Sequence, residues 1–396
     1  MNSLAARAPQ DEVPPRAAPE TAPLHRALQD LARDMLATLD MTRSDRLFAQ
    51  DAMGFQTNPL NLAYGASGPA LFLRSVLGEL PPQVRDWLAA QPVDLANYPP
   101  GLYSGLAGIA WSFAEVGLLE RGRELFALAM KSPLALRAVD MFDGASGWGM
   151  AALAFHLRTR DPGYLEHAVR AGQYLLTRAE RSSHGVSWRN DFDGAVRLGF
   201  GLGNSGAAYF LLCLWRATSE RKYLDAARDG LDFDVAHAQA QGENLVWGTT
   251  AGAEGHRPYW LRGGAGVTST LIRFFEVLQD ERYLHLARRG ARPCGAFFSA
   301  APHLFEGLAS MGETLLDMHR VTGEQHYLDQ ARQKAHQCLL YRIERPQGLA
   351  FPGRYLMRIS HDFGVGGAGI GLFLDRVLKL QPRKFHDLPL DTPRTG

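Results

Sequence analysis

Beyond the turn Gly203-Asn204-Ser205-Gly206 the chain reads Ala-Ala-Tyr-Phe-Leu-Leu-Cys-Leu-Trp, apolar on every face, and this predicts a helix enclosed on all sides. A polar break, Thr218-Ser219-Glu220, ends it. The next stretch, Lys222 to Arg228, alternates apolar and charged faces at helical spacing and so predicts an outer, half-exposed helix. Comparable breaks at Arg160-Asp161-Pro162-Gly163, Gln279-Asp280-Glu281 and Thr322-Gly323-Glu324-Gln325 divide other inner helices from their outer partners.

The same unit recurs. Gly-x-x-Gly turns begin at Gly65, Gly105, Gly144, Gly203, Gly263 and Gly366, and Gly307 opens a seventh in which Ser310 replaces the closing glycine. Twenty residues beyond four of these glycines stand Tyr164, Tyr223, Tyr283 and Tyr327, each followed by leucine, with Ala168, Ala227, Ala287 and Ala331 four positions further on. Such self-similarity marks a repeat architecture whose units cannot bury their apolar faces alone. Glycine at each inner-helix start lets backbones crowd and leaves N–H groups to point into a central cavity, which favours a closed ring over an open solenoid. The well-formed last copy, Gly366-Gly367-Ala368-Gly369, argues the same way, since a solenoid would end in a polar cap. The expected fold class is all-α, an α/α toroid of about seven inner and outer helix pairs spanning residues 23–380. The Pro/Ala-rich segment 1–22 is expected to be disordered, and 381–396 to be a flexible tail.

Composition adds mainly exclusions. A formal charge of +1 gives no bulk attraction to nucleic acid or an anionic membrane. The longest apolar run, Ala207 to Trp215, is too short to span a bilayer. Three widely spaced cysteines, Cys213, Cys294 and Cys338, form no Cys-x-x-Cys and suit a reducing cytoplasm.

The segments Asn58-Pro59-Leu60-Asn61-Leu62-Ala63-Tyr64-Gly65, Gly101-Leu102-Tyr103-Ser104-Gly105-Leu106-Ala107-Gly108 and Gly366-Gly367-Ala368-Gly369-Ile370 resemble the lanthionine synthetase C-like family, over about residues 45–380. Within it the chain is most similar to the cyclase domains of class III lanthipeptide synthetases. The resemblance implies an α/α toroid that joins a cysteine thiol to a dehydrated serine or threonine of a precursor peptide. Zinc-dependent members carry Trp-Cys-Tyr-Gly and Cys-His-Gly before two turns. Here Trp260-Leu261-Arg262-Gly263 and Phe305-Glu306-Gly307 stand instead, and Leu202 replaces a family histidine, so no metal and no cofactor are expected. Asp140 and Arg257 occupy positions where the family places an active-site aspartate and arginine.

Without zinc, a thiolate needs a general base or electropositive surroundings. The candidate catalytic residues are therefore Asp140, Arg257, Arg262, Glu306 and His361, with Tyr64, Tyr103, Asp143, Asn204, Trp260 and Asp362 as substrate contacts. Each has a plainer structural reading: Asp140 and Asp143 as helix caps, Arg262 and Glu306 as a rim ion pair, His361-Asp362 as loop, and the tyrosines as wall. No kinase signature is present, so separate kinase and lyase proteins would dehydrate the precursor, or this chain is part of a larger synthetase. Two other readings stand beside the cyclase. One is a non-catalytic peptide-binding partner. The other is a toroidal glycoside hydrolase using Asp143 with Asp193 or Asp362 and sugar-stacking tryptophans Trp148, Trp188, Trp247 and Trp260.

Overall fold

A computed structural model describes residues 20–190, 193–295 and 299–383. Most of the two terminal segments expected to be disordered or flexible lies outside the described residues. The helices in chain order are α1 (Ala22–Ala37), α2 (Ser67–Leu77), α3 (Pro82–Ala90), α4 (Leu106–Glu115), α5 (Leu119–Ala129), α6 (Ala145–Thr159) and α7 (Pro162–Arg178). They continue with α8 (Asn204–Thr218), α9 (Arg221–Ala236), α10 (Gly264–Leu278), α11 (Glu281–Ala291), α12 (Leu308–Thr322), α13 (Gln325–Leu339) and α14 (Gly367–Lys379). The even-numbered helices follow the glycine turns, and each packs on the next around a closed ring in which α14 also touches α2. From α5 to α13 the odd-numbered helices are outer partners of the inner helix before them. The all-α toroid expected from the repeat is therefore the fold.

Burial explains the two helix types. In α8, α10 and α12 every residue of the first eleven is buried, whereas α11 buries only one face of a strongly amphipathic sequence. Enclosure leaves no room at the turns. A Cβ on Gly105 would lie 2.1 Å from the Pro99 carbonyl oxygen, and one on Gly108 would lie 1.5 Å from that of Leu102.

The expectation that the helix-start N–H groups point into a central cavity is not met. The N–H of the residue after each turn glycine, at the inner-helix start, donates to a carbonyl seven residues earlier: Ala66 to Pro59, Leu106 to Pro99, Ala145 to Ala138, Asn204 to Arg197, Gly264 to Arg257, Leu308 to Ala301 and Gly367 to Ser360, at 2.7–3.0 Å. The incoming loop thus caps its own helix with backbone, which is why no turn glycine needs a side-chain cap. A second set of bonds joins neighbouring loops. Ala63 donates to Tyr103 and Tyr103 to Phe142; then Leu202 to Leu261, Leu261 to Phe305, Phe305 to Gly364, and Gly364 back to Ala63, at 2.8–3.1 Å. One gap interrupts this circle, at Phe142, whose N–H goes to the Asp140 carboxylate instead.

Three short hairpins, β1 (Glu180–Ser182) with β2 (Gly185–Ser187), β3 (Gln239–Gln241) with β4 (Asn244–Val246), and β5 (Ile343–Arg345) with β6 (Gly348–Ala350), follow outer helices. The helical periodicity did not announce them. They reveal how the ring closes. Strand β2 packs on α9 through Gly185, and β6 packs on α1 through Gly348 in the same manner: added Cβ atoms would lie 2.2 Å from the Asp229 and Asp30 carbonyls respectively. Helix α1, from the start of the chain, therefore serves as the seventh outer helix beside α14. A buried cluster fixes it there, with Asp34 of α1 3.1 Å from His361 Nε2 and 3.3 Å from Arg345 Nε.

Gly348 has φ +156° and no space for a side chain, whereas Gly242, in the β3–β4 turn, has φ +59° and open space around it. Gly348→Ala is expected to lower the unfolding free energy by about 3 kcal/mol or more, as strain and overpacking combine, and Gly242→Ala by only about 1 kcal/mol. Denaturant titrations of the two variants check this.

Candidate active site

The glycine turns bring the residue before each turn glycine to one face of the ring. This crown consists of Tyr64, Ser104, Asp143, Leu202, Arg262, Glu306 and Val365, of which Asp143 is exposed and Ser104, Leu202, Arg262 and Glu306 are half-buried. Below it lies an aromatic layer. Tyr103 stacks on Phe142 with centroids 5.0 Å apart and meets Phe305 and Trp260 edge-on at 5.3 and 5.6 Å; Phe305 stacks on Trp260 at 5.6 Å. Phe363 and Phe200 extend the layer, and all six rings are buried. The centre of the toroid is thus sealed under the crown.

Leu261 and Phe305, which stand where zinc-dependent relatives have thiolates, belong to this sealed layer and are 7% and 1% exposed. Two hydrocarbon side chains and the half-buried Glu306 are not a donor set for Zn²⁺, and among the described residues no three His, Cys, Asp or Glu side chains converge. The zinc of the family does not fit this chain. The two turns nevertheless lie side by side, as the 3.1 Å bond from the Leu261 N–H to the Phe305 carbonyl requires.

On one side of the crown Asp140 is buried below Asp143. Its Oδ1 accepts the N–H groups of Phe142 and Asp143, both at 2.8 Å. Burial, and then the neighbouring Asp143 charge, push its carboxyl up to about 6. Asp143 accepts from the Ser104 hydroxyl across the adjoining turn. Although its carboxylate reaches solvent, Asp143 sits in a depression crowded by protein, and this desolvation raises its carboxyl too, against the Ser104 hydrogen bond. Neither aspartate caps α6 directly, since the first three N–H groups of the helix go to the Ala138, Val139 and Gly144 carbonyls. Asn61 and Asp362 occupy the same place in their own units and likewise accept N–H groups three residues on, at 2.8 Å. The Asp140 position is therefore one that holds the loop wherever a carboxylate or amide occupies it.

Opposite charges face this pair. Arg262 and Glu306 meet at 3.4 Å with about a third of each side chain exposed. Arg354, which sequence reasoning missed, enters from the loop after β6: its guanidinium reaches the Tyr64 hydroxyl at 3.2 Å, and its N–H reaches Asp51 at 3.1 Å. The turn motif does not mark it, because it stands twelve residues before Gly366. Ser104 was legible in principle, being the crown member of its turn. The loop carrying Arg354 holds Tyr355 and Leu356 at φ +56° and +58° and leaves Tyr355 and Met357 more than four-fifths exposed. Strain of this kind persists only where surrounding structure enforces it.

The structure groups Asp140, Asp143, Arg262, Glu306 and Tyr64 on one face. The remaining candidates are placed differently. Arg257 is exposed beside Gly263, and its carbonyl caps α10. His361 is fully buried against Asp34. Asp362 is buried with Ser360 and the Asp51 N–H, and burial pushes its carboxyl up to about 6. Asn204 spends its amide on the Trp188 N–H and the Val186 and Gly230 carbonyls. Tyr103 and Trp260 are inside the plug. Trp148, Trp188 and Trp247 are buried with their indole N–H groups bound to backbone carbonyls at 2.7–2.9 Å.

Residues 56–390 match the lanthionine synthetase C-like protein family, and the chain belongs to that family. It is 28% identical over 393 residues to the probable SapB synthase of Streptomyces coelicolor, covering 97% of this chain and 41% of that protein. The chain thus spans about two-fifths of the length of the curated relative it matches. Its fold is similar to nisin cyclase, with a TM-score of 0.59 at 15% identity over 80% of this chain and 88% of the cyclase. It is also similar to a family 76 glycoside hydrolase (mannosidase) of Bacteroides thetaiotaomicron, with a TM-score of 0.51 at 12% identity over 91% and 98% of the two chains.

Two outcomes follow from this geometry. Because the 260–263 and 305–307 turns are adjacent, the variant Leu261→Cys, Phe305→Cys, Glu306→His is expected to bind Co²⁺ with the visible absorption of a tetrahedral two-thiolate site. Absence of that absorption in a folded variant would show that the three positions do not converge. For Asp140 the raised carboxyl means that the folded chain holds this proton more tightly than the unfolded chain does. Its contribution to stability is full below about pH 4 and is lost as pH rises through about 6, a fall of about 2–3 kcal/mol. Asp140→Asn keeps the loop acceptor that Asn61 exemplifies, so its stability is expected to decline less than that of the wild type between pH 4 and 6.5 in denaturant titrations.

Proposed function

We propose that this chain promotes addition of a cysteine thiol to a dehydroalanine or dehydrobutyrine of a precursor peptide, and that it does so without zinc. The observation that carries the reading is the crown: carboxyls whose proton affinity burial raises on one side and a cation on the other, over a floor closed to water. A carboxylate with its proton affinity raised towards 6 is a better base for a thiol than an ordinary aspartate, and remains ionised at pH 7. In this reading Asp143 or Asp140 takes the thiol proton as sulfur bonds to the β-carbon of the dehydro residue. The π pair moves onto the adjoining carbonyl, whose developing charge Arg262 stabilises, and the proton returns to the α-carbon. Every atom of the reactants is retained.

Membership of the lanthionine synthetase C-like family, and the names of the synthase and cyclase it resembles, support a peptide substrate. So does the exposed apolar tip of the Tyr355–Met357 loop beside the crown. Dehydration would fall to separate kinase and lyase proteins or to another part of a larger synthetase. The hydrolase reading has less support. Its carboxylate pairs are not presented: Asp362 is 1% exposed, Asp193 is paired with Arg197 outside the crown, and the proposed sugar-stacking tryptophans are core.

The test is a peptide carrying one dehydroalanine and one cysteine, with loss of alkylatable thiol as the readout, since cyclisation leaves the mass unchanged. The chain is expected to accelerate ring closure with or without a zinc chelator, the rate rising with pH through about 6. Asp140→Asn should slow it about 10²- to 10⁴-fold. Acceleration absent with a full precursor would leave peptide binding as the role of the crown; acceleration undiminished in Asp140→Asn would assign Asp140 to loop structure alone.

A further inference from the structure

Beneath the aromatic layer, on the side away from the glycine turns, the ring encloses a cavity of about 90 Å³ roofed by Trp260, Phe305 and Phe363. Arg74, Glu115, Glu313, Asp375 and Arg376 of the inner helices line it, and a buried cluster built on Arg273 and Asp317 adjoins Glu313 and Arg376. Arg273, Asp317 and Arg376 each stand ten residues beyond a turn glycine. Arg273 and Asp317 are fully buried, 3.0 Å apart, and Arg376 binds both Asp317 and Glu313. Among these four side chains two guanidinium groups answer two carboxylates, and Asp375 adds a buried carboxylate at the cavity wall. Balance is the condition for burying charge at tolerable cost.

A third guanidinium enters from outside this set. Arg383 lies beyond the end of α14 and belongs to no helix or strand. Its Nε is 2.9 Å from Glu313 and a terminal nitrogen is 3.7 Å from Asp317, with a tenth of the side chain exposed. Gln381 and Pro382 line the cavity with it. The Arg376 Nε–H donates to the Gln381 carbonyl at 3.1 Å, and the Gln381 amide donates to Asp375 at 3.4 Å. The segment is held as a bound peptide is held, by its main chain and one planar cation.

A connection leaving a helix end has no need to place a charge in a partly enclosed cavity. The carboxylates of Glu313 and Asp317 nonetheless present oxygens where the Arg383 fork fits. We propose that the inner cavity is a recognition site for the guanidinium of a peptide arginine, and that Arg383 is its resident occupant in cis. The site is distinct from the crown, on the other side of the aromatic layer, and its ligand is defined whether or not the crown makes thioethers.

Chemical rescue tests this. Trp111 and Trp260 line the cavity and report its occupancy by fluorescence. In Arg383→Ala, arginine amide is expected to give a saturable emission change and raise the melting temperature by about 1–2 °C. The wild type, already occupied, should show neither. n-Butylammonium, lacking the planar fork, should bind at least about tenfold more weakly, and adding Glu313→Gln to Arg383→Ala should abolish the response. A folded Arg383→Ala that does not respond to arginine amide would overturn the proposal, as would an equal response in the wild type or with n-butylammonium. If Arg383→Ala does not fold, the same titration of Arg383→Lys decides, response or silence carrying the same meanings.

Discussion

The backbone bond from the N–H of the residue after each turn glycine to a carbonyl seven residues earlier is the constraint on which the rest of the molecule depends. It forces the incoming loop to double back across the helix start, and that return leaves no space for a Cβ at the turn glycine or, in most units, at the glycine one turn later. The loop also has to run towards the ring axis before it turns. Side chains of the residues just before the glycine are therefore delivered to the centre of the ring in every unit, whatever their identity. What a given unit contributes chemically is then a matter of substitution at two or three positions, with the backbone unchanged.

This explains why some features were legible in the sequence and others were not. The inner and outer helices could be read because enclosure imposes apolarity on one kind and periodicity on the other. The crown was partly readable because Asp143, Arg262 and Glu306 share one offset from the turn glycine, and Ser104 was overlooked although it has the same offset. Arg354 could not be read, since it lies well before its turn glycine, outside the motif that marks each unit. The seventh outer helix was illegible for a topological reason. A ring has no end in space but the chain has two, so the missing partner of α14 is α1, whose sequence is not followed by the hairpin that marks other units. His361 looked like a loop histidine next to a turn because its partner, Asp34, is more than three hundred residues away. Free N–H groups were expected at the helix starts because the sequence shows the glycines that permit the loop to return, not the carbonyls that it returns.

Filling the centre of the ring with aromatic side chains alters the electrostatics on both of its sides. A metal at the axis would supply a concentrated positive charge to the crown, whereas hydrocarbon supplies none and excludes water. Low polarisability below the crown raises the cost of ionising a nearby carboxylate, and Asp140, Asp143 and the similarly placed Asp362 all show carboxyls raised chiefly by burial. Asp317 shows the converse. It is just as deeply buried, but Arg273, Arg376 and Arg383 surround it and hold its carboxyl well below the usual range. The same burial therefore yields a proton-holding acid above the layer and a permanently ionised one below it, and the difference is the number of guanidinium groups within reach.

The three cysteines fit this division. Cys213, Cys294 and Cys338 are buried, and burial pushes the Cys294 thiol up to about 12 and raises the Cys338 thiol as well, despite Lys334 nearby. A thiol so placed is a packing group and no competitor for an electrophile at the crown. Any sulfur nucleophile that reacts on this face must therefore arrive with the substrate. In the proposed reaction the chain's own contribution would then be limited to a base, a counter-charge and the buried floor beneath them, each set by residues that a fixed backbone delivers to one place.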